Sequence, residues 1–146
     1  MRASWQLLTR LAAVALAGVV VGAGAGCGGA IGRDELARSL QTVASVAAEG
    51  QLMAHDVSRN RARSSFVRAH ARELSDSADH EGEKLADATT AADLAGPLAR
   101  AVALARQVSI ALAALQITPA DGRVGCRAGA QLRRYGELAR RLVANL

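Results

Sequence analysis

Apolar residues recur along the second three-quarters of the chain at alternating steps of four and three. The first such series is Leu36, Leu40, Val43, Ala47, Gly50, Ala54 and Val57, with Val46 and Met53 widening the face. Steps of this kind place side chains on one stripe of an α-helix. A second series runs Val67, Ala71, Leu74, Ala78, Glu81, Leu85 and Ala88, interrupted by Glu81 and followed at that point by Gly82. The third, Leu94, Leu98, Ala101, Ala105, Val108, Leu112 and Leu115, carries further apolar residues at Val102, Leu104 and Ala111 and is apolar nearly all round. The fourth is Ala128, Leu132, Tyr135, Ala139, Leu142 and Leu146. The pattern predicts helices over about 34–59, 64–88, 93–117 and 119–146.

The breaks between the series carry turn and capping chemistry. Asn60 tolerates the left-handed conformation that ends a helix. Ser64 or Ser65 is placed to cap the second helix and Asp93 the third, with Pro97 early in it. Thr118, Pro119 and Asp121 read as the start of the fourth helix, with Thr118 as N-cap and Pro119 in the first helical position. Four helices of similar length joined by short connections predict an all-α, up-down-up-down antiparallel four-helix bundle over residues 34–146. Composition agrees: 51% of residues are apolar but only 2% aromatic, so Ala, Leu and Val must build the core. The many Ala and Gly seam positions predict closely approaching helices.

The first 33 residues have a different grammar. A polar start with Arg2 and Arg10 precedes the apolar run Leu11 to Val21, then small residues lead to Cys27, Gly28 and Gly29. Eleven apolar residues are short for a membrane span, which takes about 20. The three-part layout is that of an export signal. The stretch Gly24-Ala25-Gly26-Cys27 resembles the lipobox of bacterial lipoprotein signal peptides, with Gly24 where that motif usually carries Leu. The resemblance implies a signal peptide over 1–26, a diacylglyceryl group on the Cys27 thiol, a tether over 27–33 and an extracytoplasmic, membrane-anchored protein. Two alternatives remain open here. Ala23-Gly24-Ala25 also fits an ordinary secretory cleavage site, which would release the protein, and an uncleaved anchor is the other.

Charge narrows the function classes. The formal charge is +5, of which Arg2 and Arg10 lie in the leader. With one Trp, one Tyr and one Phe there is no stacking platform for single-stranded nucleic acid. In the antiparallel layout the first and third turns share a pole, which gathers Arg59, Arg61, Arg63, Arg123 and Arg127. The opposite pole gathers Asp34, Glu35, Glu83, Asp87 and Asp93, offset by Arg140 and Arg141. Arg at helix C-termini and acids at helix starts complement helix dipoles. The same arrangement also offers Arg61, Arg63, Arg123 and Arg127 as a docking surface for an envelope protein or an anionic polymer.

Residues for chemistry are sparse. The second helix, from Phe66 to Leu85, loosely resembles secreted ferritin-like bundles, which hold metal between inward carboxylates and His. The Glu-x-x-His signature of such sites is absent, and His70-x-x-Glu73 runs in the reverse order. Heptad phase puts His55 and His80 outward and His70 on the flank. Glu49, His70 and Glu73 are the residues that an antiparallel first and second helix would bring to one level. Glu81 is the only acid on a seam, with no second carboxylate to work beside it. Cys126 falls away from the fourth seam, and neither a haem-attachment motif nor a phosphate-binding glycine loop is present. The expectation is therefore a non-enzymatic envelope lipoprotein that binds a partner and takes no cofactor. A metal- or small-ligand-binding bundle and a structural spacer are the alternatives.

Overall fold

The computed structural model describes residues 29–146. Four helices follow in order, α1 (Arg33–Ser58), α2 (Ser64–Ala86), α3 (Ala92–Ile117) and α4 (Gly122–Ala144). They form an antiparallel four-helix bundle. Helices of 26 residues span about 39 Å and those of 23 about 35 Å. The Cys27 lipobox and the signal segment lie outside the described residues.

Every apolar member of the α1 and α3 seams is buried. The other two seams shift by one residue at one position each. In α2 the buried residue after Ala78 is Gly82, not Glu81, and in α4 it is Gly136, not Tyr135, after Leu132. The cause is the same in both. A glycine lets the neighbouring helix come close, so the smallest residue takes the tight position and the larger one rotates to the flank. Tyr135 is left half-buried against the core, and Ala88 and Leu146 likewise pack at its edge.

The helices associate as two tight pairs, α1 with α4 and α2 with α3. Across the middle, α1 also touches α3 diagonally, while α2 and α4 do not meet. The bundle is therefore flattened, and the α1–α4 pair is its closest seam. A Cβ at Gly125 would sit 2.7 Å from the Ser58 amide nitrogen and 2.9 Å from the Ala54 carbonyl oxygen. A Cβ at Gly50, where α3 and α4 meet α1, would fall 2.6 Å from Leu112 Cδ2 and 3.1 Å from Leu132 Cδ1. The α2–α3 pair adds one buried polar link, the Ser75 hydroxyl lying 3.0 Å from the Ser109 hydroxyl.

The ends of the helices depart from the capping expected from sequence. Asn60 does adopt φ 54°, the left-handed turn after α1. Ser64 is the first residue of α2, behind Arg63, and makes no capping bond. Ala91 rather than Asp93 precedes α3; Asp93 lies in its first turn, 3.5 Å from Arg33. Pro97, five residues into α3, lacks the N–H that would reach the Asp93 carbonyl. Most plainly, α4 starts after Asp121, not Thr118. The Asp121 carboxylate accepts from the amides of Arg123 (2.8 Å) and Val124 (3.2 Å). The Thr118 hydroxyl instead donates to the Ala114 carbonyl at the end of α3. A charged carboxylate is the stronger acceptor for the free amides of a helix start.

The chain joins the bundle before α1. Ile31 is buried, its amide donates to the Thr89 carbonyl at 2.7 Å, and its carbonyl accepts from the Thr90 hydroxyl at 3.1 Å. The stretch expected as a tether to residue 33 is thus fixed from Ala30 onward.

Gly125 and Gly129 make a matched test of the α1–α4 seam. Gly125→Ala is expected to lower unfolding free energy by about 1–3 kcal/mol, because backbone blocks the new methyl. At Gly129 the nearest atom is the Ala54 Cβ at 3.5 Å, an ordinary contact. Gly129→Ala is expected to gain about 0.4–1 kcal/mol from helix propensity. Urea unfolding of both variants reads the two signs.

Candidate functional site

Antiparallel α1 and α2 bring Glu49, His70 and Glu73 together. His70 Nε2 is 2.8 Å from Glu49 Oε1, and His70 Nδ1 is 3.5 Å from Glu73 Oε2. The ring stacks on Phe66, with centroids 5.2 Å apart. The three residues meet as the sequence pattern suggested, but in the wrong arrangement for a metal. The two carboxylates sit on opposite nitrogens of one imidazole. A metal site needs its ligands to converge on a common point, and here the ring lies between them. The set is a surface cluster with one hydrogen bond, His70 to Glu49, and with Glu49 and Glu73 mostly in solvent. Among the described residues, no group of three or more His, Cys, Asp or Glu is placed to share an ion.

The remaining candidates are dispersed. His55 and His80 are exposed, as their heptad phase requires. Glu81 is half-buried beside the seam that Gly82 occupies, with Oε2 enclosed and unbonded. Cys126 is an exposed free thiol on α4.

The four arginines of the expected docking pole are all exposed. The first and third turns do share that pole, since Gly122 lies against Ser58. Arg61, however, is held 3.3 Å from Asp56 of α1. At the other pole Lys84 pairs with Glu35 at 3.6 Å and Arg33 with Asp93, so two of the five acids there are answered.

A stronger asymmetry runs across the bundle rather than along it. Residues 92–146 carry eight arginines against three carboxylates, whereas residues 29–91 carry eight basic residues against ten carboxylates. Of the three carboxylates on the α3–α4 half, Asp93 is paired and Asp121 caps α4. None of the eight arginines, Arg100, Arg106, Arg123, Arg127, Arg133, Arg134, Arg140 and Arg141, forms an ion pair among the described residues.

Between α3 and α4 lies an open groove of about 330 Å³, lined by Arg100, Ala103, Leu104, Gln107, Leu138, Arg141, Leu142 and Asn145. Its floor is leucine and its rim carries two guanidiniums and no carboxylate. Reading the sequence by its core seams passed over this surface. The signal present in the chain was the charge imbalance of its last third.

The Glu49–His70–Glu73 cluster is expected to add little to stability. Glu49→Gln should change unfolding free energy by less than about 1 kcal/mol, the range of solvent-screened pairs. Urea unfolding of the variant measures it.

No protein-family model, curated protein or solved structure matches this chain.

Proposed function

We propose that this is a non-enzymatic lipoprotein of the bacterial cell envelope, anchored through Cys27 and acting as a binding module. The observation that carries the binding role is the set of eight unpaired arginines on α3 and α4. Charge left without internal partners over half of a small bundle is charge available to an anionic partner. The lipobox-like Gly24-Ala25-Gly26-Cys27 supports the anchor. Cys27 is four residues before the buried Ile31, a reach of at most about 14 Å. An acyl group on that thiol would keep the bundle beside the lipid surface. The metal-binding alternative is not favoured by the geometry of its best residues, since His70 separates the two carboxylates.

Intact mass of the protein recovered from a bacterial membrane fraction tests the anchor. The expected chain begins at Cys27 and carries added acyl mass. Cys27→Ala is expected to lose that mass and membrane retention together. A soluble chain beginning at Gly26 would instead establish ordinary secretion and overturn the anchor.

A further inference from the structure

A narrow apolar stripe runs along the outer side of α3, flanked by the exposed Arg106 and Gln107. Ile110 is 69% exposed and Ile117 76% exposed. With Ala103 they recur every seven residues, two turns apart, on one face. Arg127, Arg134 and Arg141 follow the same seven-residue spacing on α4. Ala103 and Arg141 both line the α3–α4 groove, so the two stripes run along the same side of the bundle. The arginine stripe covers 14 residues, about 21 Å. Leu138, 39% exposed, lies within the groove between them.

Helix α3 is also the one described helix long and apolar enough to cross a membrane by composition, with a window of mean hydropathy 1.5. Only 44% of that window is buried in the bundle. Its buried side packs on α2, α1 and α4, so it serves as a core helix whose other side carries the open apolar stripe.

We propose that the α3–α4 side of the bundle docks on the surface of an anionic lipid bilayer. In this arrangement Ile110, Ile117 and Leu138 enter the boundary between headgroups and acyl chains. Arg127, Arg134 and Arg141, with Arg100 across the groove, bind the lipid phosphates. The pairing of an apolar stripe with a flanking row of cations is the pattern of elements that lie in a membrane interface. Charge complementarity favours an anionic surface. A second copy docked through the same face would set one unpaired arginine row against another and repel it. A neutral surface would leave the row unanswered. The inference takes from the preceding reading only that the bundle works beside a membrane; acylation of Cys27 is not required for the face to dock.

The test uses the full chain with Cys27→Ser and Cys126→Ser, bearing a single environment-sensitive fluorophore at Ile110→Cys or, for comparison, at Asp79→Cys on acidic α2. Vesicles contain phosphatidylglycerol and phosphatidylcholine at 3:7, or phosphatidylcholine alone. The label at 110 should shift to the blue with the anionic vesicles, and high salt should abolish the shift. The label at 79 should stay in water. Each arginine near such a surface contributes about fivefold in partitioning. The triple variant Arg127→Gln, Arg134→Gln and Arg141→Gln should therefore lose about a hundredfold, with helix content and thermal unfolding showing the fold retained. Equal responses at 110 and 79, equal responses to both vesicles, or a triple variant that responds like its parent would each overturn the proposal. With Cys27 replaced, such a failure concerns the face and not the anchor, which the mass measurement tests separately.

Discussion

The close approach of α1 and α4 governs the shape of this bundle. At Gly125 the α4 backbone meets the backbone of Ala54 and Ser58 with no room for a methyl group. At Gly136, about three turns further, the contact relaxes to an ordinary one, with its Cβ position 3.5 Å from Ala47 Cβ. With so little aromatic bulk in the chain, tight packing comes from bringing backbones together rather than from large side chains filling space. On the other side of α4 an open groove lies over Leu104, Leu138 and Leu142. A second groove of similar volume runs along α1 and α4 over Ala44, Ala48 and Val143.

The α3–α4 half is where the charge is unbalanced. On α1 and α2 acids and bases are nearly balanced in number and several pair, as in Arg61 with Asp56, Arg72 with Asp76 and Lys84 with Glu35. Of the three carboxylates in residues 92–146, Asp93 pairs with Arg33 and Asp121 binds the amides of α4, which leaves Glu137 exposed on α4 among the arginines. Elsewhere His70 stands between Glu49 and Glu73.

The four helices, their order and most of their buried apolar residues were legible in the sequence, though not the buried Ser39, Ser75 and Ser109 or the buried Gly125. An amphipathic stripe is a local property, and the burial of Leu36, Leu112 or Leu132 follows from periodicity alone. The starts of helices were less legible, because several groups compete for one end. Thr118, Pro119 and Asp121 all carry capping chemistry, and only the geometry of the turn selects the Asp121 carboxylate. Glu81 and Tyr135 were misplaced on the seams for a related reason: periodicity does not report which of two adjacent positions a neighbouring helix will press upon.

The sequence by itself determined that the domain is helical, which face of each helix is buried, and where the chain turns. It also brought Glu49, His70 and Glu73 to one level, since antiparallel pairing follows from short connections. The tertiary structure alone decided that their arrangement surrounds an imidazole rather than an ion, because convergence depends on rotamers and on the distance between helices. It alone decided which helices pair tightly. The absence of a side chain at Gly125 lets α4 close onto α1, and the packing brings Ala103 and Leu104 of α3 into one groove with Leu138 and Arg141 of α4.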